Sequence, residues 1–138
     1  MRLTPHDARE RFAASRVARL ATADGRGRPH LVPVTFAVHG DTVAIGIDHK
    51  PKSGHNLKRL ANIAENPLVC LLADEYDEGW ERLWWARADG RARVVRDGRP
   101  WTEARSRLIA RYRQYRDIPP EGPMILVDVL RWSGWSFT

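Results

Sequence analysis

Three short apolar segments, each separated from the next by a glycine-containing turn, restrict the fold more than any other feature of the chain. The segments are Val17–Thr22, His30–Val38 and Thr42–Asp48, and the turns are Asp24–Gly27 and His39–Asp41. Segments of this length, rich in β-branched residues and bounded by Asp-Gly and Gly-Asp pairs, are typical of antiparallel strands. We therefore predict an antiparallel meander. Pro33 lies inside the second segment and cannot donate to a neighbouring strand, which predicts an edge position or a bulge there.

Three helices are predicted around this meander. Thr4 and Pro5 form a capped helix start, and the helix runs to Ala14 or Ser15. A second helix covers Ser53–Glu65, and a third opens at Asp97–Pro100. The third helix carries one apolar face, formed by Trp101, Ala104, Leu108, Tyr112 and Tyr115.

The remaining apolar segments complete a sheet. Leu68–Asp74 reads as a buried strand, in which the single cysteine, Cys70, is expected to be a small core residue. Leu83–Val95 is predicted to be a strand with a hairpin or bulge at Asp89-Gly90, and the tail from Met124 closes the sheet. We predict one domain over residues 1–138: a mainly antiparallel sheet with flanking helices, closed into a small barrel that leaves few exposed edges.

The composition narrows the class of protein. The chain carries 23 basic and 17 acidic side chains, a net charge of +6, so its surface attracts phosphates and other polyanions. A single cysteine excludes an internal disulfide. The N-terminal residues lack the apolar core of a signal peptide, so a cytoplasmic location is expected.

All three lysines lie in one short stretch, at positions 50, 52 and 58. Lys50, Lys52 and Ser53 stand where the third strand gives way to a helix, and helix N-termini offer free N–H groups to anions. This stretch is either a phosphate cradle or a solvated basic turn. Lys58 and Arg59 are expected on the solvated face of the helix.

Trp84 and Trp85 are neighbours in a predicted strand, so their side chains point to opposite faces. One of them can fill the barrel while the other, beside Arg87, forms a subunit contact or a stacking wall for a flat ring. The same two positions, inside the barrel or on its outer face, are open to Trp132 and Trp135. The alternative is that these tryptophans are all core residues.

No nucleophile or metal-ligand spacing is present among the histidines, and His30, His49 and Thr35 are weak candidates for directing a proton. An anion cradle with aromatic walls but no evident acid, base or nucleophile is typical of proteins in which a cofactor supplies the chemistry.

Four stretches carry a family resemblance: RVARLATADGRGRPHLVPVTF, IDHKPK, NLKRLANIAENPLVCLLADEYDE and RLWWARADGRARV. With these the chain resembles the pyridoxamine 5'-phosphate oxidase-like split β-barrel proteins, which are flavin and deazaflavin oxidoreductases. Within that family it is most similar to the probable coenzyme F420-dependent enzymes. The resemblance implies a homodimer of split barrels with two cofactor sites at the subunit interface.

The resemblance also implies which residues bind the cofactor. The ring would lie against the strand containing Pro33, Val34, Thr35 and Phe36. Its phosphate would bind near Lys50, Lys52 and Ser53, with Asn56 and Arg59 close by. Trp85 and Arg87, with Trp84 in the same strand, would come from the second subunit.

The chain departs from true pyridoxamine phosphate oxidases. It has Lys-Pro-Lys after the third strand in place of their strand motif of arginine and lysine, and RWSGWSFT where they carry a substrate-binding arginine and histidine. Vitamin B6 oxidation is therefore not expected. The resemblance implies hydride transfer between coenzyme F420 and a small organic substrate, with FMN as the alternative cofactor. Binding of a cofactor or tetrapyrrole without turnover, or of single-stranded nucleic acid, are the non-enzymatic alternatives.

Overall fold

A computed structural model describes residues 1–47 and 54–138, with the side chains of residues 54–57 left out. The helices are α1 (Pro5–Ala14), α2 (Gly54–Glu65), α3 (Gly98–Arg111) and α4 (Arg113–Asp117), and Trp80–Arg82 forms a short 3₁₀ turn. The strands are β1 (Ala18–Ala23), β2 (Pro29–Val34), β3 (Phe36–His39), β4 (Thr42–Ile45), β5 (Leu68–Glu75), β6 (Trp84–Val95) and β7 (Met124–Ser136).

The seven strands form one antiparallel sheet in the order β2-β1-β5-β6-β7-β4-β3. Strands β2 and β3 are its two edges, yet only Thr35 separates them along the chain. The sheet must therefore curl until its edges meet, and the result is a half-barrel that is split between β2 and β3. The predicted fold class, a mainly β split barrel with flanking helices, is confirmed.

One prediction for this region needs correction. His30–Val38 is two strands at opposite edges of the sheet and not one edge strand. Pro33 lies in β2 opposite Arg19, so the expected edge position is correct. The chain breaks at Thr35 because β2 pairs with β1 while β3 pairs with β4, and one straight strand cannot form both pairings.

The first turn has the geometry that its sequence predicts. The Asp24 carboxylate accepts hydrogen bonds from the backbone N–H groups of Arg26 and Arg28, both at 2.9 Å. The hydrogen bond from Arg28 is the main reason that the pKa of Asp24 is lowered. Gly27 adopts φ +80°, a conformation that glycine reaches without strain.

The predicted irregularity at Asp89-Gly90 is a bulge in a continuous strand and not a hairpin. The register of β6 against β7 shifts between these two residues. A Cβ atom on Gly90 would lie 2.4 Å from the carbonyl oxygen of Asp128, so only glycine lets the two backbones approach this closely.

The half-barrel encloses the main core, and α1 packs against it. Thr4 Oγ1 accepts a hydrogen bond from the Asp7 N–H, as its capping position predicts. Phe12, fully buried, lies 4.9 Å from the ring of Phe36 and 5.4 Å from that of Trp132. The helix thereby contacts both the start of β3 and the middle of β7.

A second, smaller core lies on the outer side of β3, β4 and β7, where α3 packs. Ala104 and Leu108 of the helix are buried against strand residues. The predicted apolar face is correct, since its remaining members, Trp101, Tyr112 and Tyr115, pack against the same cluster. The single predicted helix is instead α3 and α4, with a break at Tyr112.

Strand β5 is less buried than its apolar sequence suggests. Leu68 and Leu72 are 56% and 37% exposed, whereas the alternate residues Val69 and Leu71 face the core. Cys70 belongs to the outward set and is half-buried, so its prediction as a core residue is wrong. None of the described helices has the length and apolarity needed to span a membrane.

Candidate functional site

The site implied by the resemblance begins where the chain crosses from one edge of the sheet to the other. Pro33 is exposed, Val34 is buried and ends β2, and Phe36 is buried and starts β3. Thr35 lies between the two strands and is half-buried. We call these four residues the crossing segment.

Tyr112 fixes the crossing segment to the helical layer. Its hydroxyl accepts a hydrogen bond from the Phe36 N–H at 3.1 Å and another from Arg111 Nε at 3.3 Å. The hydroxyl oxygen also lies 3.0 Å from the carbonyl oxygens of Phe36 and Arg16, to either of which its O–H can donate. The phenol therefore replaces the missing neighbouring strand at the edge of β3, where a buried N–H needs a partner.

Tyr115 holds the side chain of the crossing segment. Its hydroxyl lies 2.7 Å from Thr35 Oγ1, and either oxygen can donate. A Cβ atom on Gly46 would approach this hydroxyl to 2.9 Å, so a glycine leaves the room that the phenol occupies. The sequence pattern predicts Tyr112 and Tyr115 only as members of an apolar helix face; the available signal for their polar role is that both carry hydroxyls.

Arg111 completes the attachment. Its guanidinium donates to the carbonyls of Ala13 and Ser15, at the end of α1, and its carbon lies 4.9 Å from the centre of the Phe36 ring. The crossing segment, α1 and α3 are thus joined by one cation and one phenol.

Helix α2 carries two buried polar side chains, Arg59 and Asn62. Arg59 is only 7% exposed, so the expectation that it lies on the solvated face is wrong, whereas Lys58 is exposed as predicted. Asn62, one turn further along, is fully buried and donates to Thr22 Oγ1 at 3.0 Å. Both buried residues follow from the packing of α2 onto β1 and β6.

Several predicted residues cannot be placed. His49, Lys50, Lys52 and Ser53 lie outside the described residues, and the side chain of Asn56 does too. The phosphate cradle therefore stays a prediction.

The side chains of the two adjacent tryptophans point to opposite faces of the sheet, as their positions predict. Trp84 packs against the main core, and its indole N–H donates to Glu75 at 3.1 Å. Trp85 points outward, with the Arg87 guanidinium 5.7 Å from its ring centre. In β7, Trp132 is buried in the core, while Trp135 lies opposite Trp85 on the outward face.

The outward side of β2, β1, β5 and β6 forms an open sheet face, which carries Leu31, Ala21, Cys70, Leu72, Leu68, Trp85 and Arg87. Leu31 is 67% exposed. The Arg19–Asp74 ion pair, at 3.2 Å, crosses this face between β1 and β5. Exposed apolar side chains gathered on several neighbouring strands are typical of interaction surfaces.

Burial raises the pKa of the Cys70 thiol on this face, and the Asp89 carboxylate raises it further. Cys70 is therefore held as a neutral thiol near neutral pH, and a nucleophilic role is not indicated.

One chain does not bring the two halves of the predicted site together. Pro33, Arg19, Leu72 and Arg87 lie in one row across four strands. Three strand spacings separate Pro33 from Arg87, which is about 14 Å along the sheet. Trp85 and the crossing segment of the same chain are therefore not neighbours on the sheet.

The described residues fit a planar, anionic cofactor. The open sheet face offers an indole and a guanidinium for stacking on a flat ring. Ser133 Oγ, opposite Arg87, is buried and has no hydrogen-bond partner among the described residues. A metal site is not indicated, since no group of three potential ligands occurs among the residues that the structure describes.

Comparisons with known proteins agree with this architecture. The pyridoxamine 5'-phosphate oxidase family matches residues 4–136. Among solved structures, an FAD-binding protein from Mesorhizobium loti is 20% identical with a TM-score of 0.76, and the match covers 97% of this chain and 95% of that one. An FAD-binding protein from Mycobacterium smegmatis is 21% identical with a TM-score of 0.68, covering 98% and 96%. A conserved hypothetical protein from Mycobacterium tuberculosis is 17% identical with a TM-score of 0.75, covering 97% and 85%. No curated protein matches the chain.

Proposed function

The chain belongs to the pyridoxamine 5'-phosphate oxidase family, and we propose that it is an oxidoreductase that uses coenzyme F420, with the cofactor bound between two copies of the chain. FMN is the alternative cofactor. The observation that carries this proposal is the separation of the crossing segment from Trp85 and Arg87, on a sheet face where Leu31, Leu68 and Leu72 are exposed.

Two copies of the chain would bring the crossing segment and an indole together. If the open sheet faces of two chains pack together, the indole of one chain reaches the crossing segment of the other. The exposed leucines of β2 and β5 supply the apolar contact that such an interface needs. The sites are then two per pair, because a two-fold interface repeats each contact.

The charge of the chain supports an anionic cofactor. Arg59, a buried cation of α2, lies six residues after the predicted basic stretch at Lys50–Ser53 in the sequence. The structures named as FAD-binding, which share the fold, favour a flavin-type ring. A net charge of +6 favours a cofactor with an acidic tail, which coenzyme F420 has and FMN lacks.

When bound, the deazaflavin supplies hydride-transfer chemistry to a substrate with an electron-poor double bond. The chain's own residues position the ring and exclude water. The crossing segment would hold the polar edge of the ring, and the hydrogen bond to Tyr115 fixes the Thr35 hydroxyl beside it. Trp85 of the second copy would supply an indole for stacking on the ring.

A side-by-side titration tests this function. Purified protein is titrated with coenzyme F420 and with FMN, and binding is followed by the fluorescence of each cofactor. We expect the tighter binding for coenzyme F420. Trp85→Ala should weaken it about tenfold through the lost stacking surface. The matched control is Trp80→Ala, which removes a 59% exposed indole from the loop after β5 and should leave the affinity unchanged. Tighter binding of FMN would select the alternative, and failure of both cofactors to bind would refute the proposal.

A further inference from the structure

A cavity lies on the outer side of the sheet, away from the main core. It is a groove of about 310 Å³ between the first half of α3 and the outward faces of β3, β4 and β7. None of the candidate site residues that the structure describes lines it. We call it the helix groove, and any function that it has is separate from that of the proposed cofactor site.

The floor of the helix groove is apolar and built from small residues. Ala37, Ala44 and Leu126 stand side by side in one row across β3, β4 and β7. Ala104 of α3 faces them. Because three of these four residues are alanines, the helix and the sheet leave a hollow that larger side chains would fill.

The rim of the helix groove is mostly cationic. Arg99, Glu103 and Arg107 follow each other at four-residue intervals along α3, and Arg93 lies at the end of the floor row, next to Leu126. Glu103 pairs with both helical arginines, at 2.7 Å to Arg99 and 3.7 Å to Arg107.

One carboxylate thus faces three guanidinium groups in the helix groove. The hydrogen bond from Arg99 holds the pKa of Glu103 below its ordinary value, and Arg107 and His39 lower it further. Glu103 is therefore fully ionised near neutral pH and already contributes all the negative charge that it can. Arg93 is paired with Asp128 at 3.6 Å, so the excess comes from Arg99 and Arg107, which share the single Glu103 carboxylate. The groove keeps an excess of positive charge.

We propose that the helix groove is a binding site for a small organic anion, with an apolar body on the alanine floor and a carboxylate on the N–H groups of Arg99 and Arg107 that do not contact Glu103. Both parts of the ligand are required by the lining. A purely apolar molecule would take water from the guanidinium groups without replacing it, and a bare anion would leave the floor without contact. A planar guanidinium is suited to a carboxylate because two parallel hydrogen bonds can form.

Methyl NMR tests this site with a matched pair of probes. Alanine methyl groups are labelled with carbon-13, and the protein is titrated with 2-naphthoate and with its neutral analogue 2-naphthylmethanol. We expect saturable shifts of the Ala37, Ala44 and Ala104 methyls with naphthoate, at a dissociation constant below about 1 mM, and binding of the neutral analogue at least tenfold weaker. The methyl of Ala8, fully buried in the main core, should not shift.

Substitutions in the rim test whether Arg99 and Arg107 bind the carboxylate of the ligand. Arg99→Gln and Arg107→Gln should each weaken naphthoate binding by up to about fivefold, as expected for exposed ion pairs, and the double variant more. Arg113→Gln, which removes an exposed arginine of α4 outside the groove, changes the net charge equally and should leave binding unchanged. Thermal melts of the variants show that each remains folded.

Three results would overturn the proposal. They are the absence of saturable shifts at the three floor methyls, equal binding of the neutral analogue, and unchanged binding by the double variant. None of these results bears on cofactor binding, which the titration described above measures separately.

Discussion

Removal of a single hydroxyl from Tyr112 is the sharpest test of how the crossing segment is held. In Tyr112→Phe the ring stays in the second core, but the Phe36 N–H loses its hydrogen-bond acceptor. Phe36 is fully buried, so no water replaces the lost partner. The same change removes the donor to the Phe36 or Arg16 carbonyl and the acceptor for Arg111 Nε.

The magnitude follows from these contacts. An unpaired buried backbone group costs roughly 1–3 kcal/mol, and the lost contacts to partly exposed groups add less. We therefore expect a loss of about 2–3 kcal/mol. For a chain of 138 residues, an unfolding entropy of about 2.1 cal/mol/K per residue gives roughly 290 cal/mol/K. The loss then lowers the melting temperature by about 7–10 °C.

The assay is differential scanning calorimetry of wild-type, Tyr112→Phe and Tyr76→Phe proteins. Tyr76 is 67% exposed in the loop after β5, so its hydroxyl is solvated and its removal should shift the melting temperature by no more than about 1 °C. If Tyr112→Phe melts within about 2 °C of the wild type, the phenol is not the partner that stabilises the edge of β3, and the reasoning is refuted.

Three further changes test other parts of the structure. Gly90→Ala should destabilise the protein by several kcal/mol, because its Cβ would lie 2.4 Å from the Asp128 carbonyl oxygen, whereas Gly122→Ala, with open space around it, should not; denaturant melts measure both. Because the folded pKa of Asp24 is lowered from 3.8, its carboxylate stabilises the fold above that pH, and the contribution is lost as the pH falls through the lower folded pKa. The stability advantage of the wild type over Asp24→Asn should therefore be greatest near neutral pH and disappear in acid, and an advantage that grew in acid would contradict this sign. Leu72→Asp, on the open sheet face, should convert a two-chain assembly into single chains in sedimentation velocity without unfolding them.

Much of the local structure could be predicted because local signals decide it. The helix start at Thr4, the turn at Asp24–Gly27 and the bulge at Gly90 each depend on a side chain or a glycine at one position. Pro33 correctly predicted an edge. That β2 and β3 occupy opposite edges could not be predicted, because long-range pairing with β1 and β4 sets the strand order.

The errors arose where burial depends on what covers a surface. Leu68, Cys70 and Leu72 read as a buried strand, since a face that a second copy would cover has the same composition as a core. The expectation that Arg59 lies on the solvated face of α2 is wrong because this position falls on the packed side of the helix. Tyr112 and Tyr115 were recognised as packing residues, but their hydrogen bonds to the crossing segment connect residues 76 to 80 positions apart in the chain.

Sedimentation of the protein together with its cofactor tests the central claim most directly. Two chains of 15.8 kDa make a particle of about 31.6 kDa. With coenzyme F420 present, its visible absorbance should move with a particle of that mass, at two cofactors per pair of chains, and Trp85→Ala should reduce the amount that moves. Cofactor that sediments with a single chain, or that stays free at concentrations well above those of the chain, would contradict a site shared between two copies.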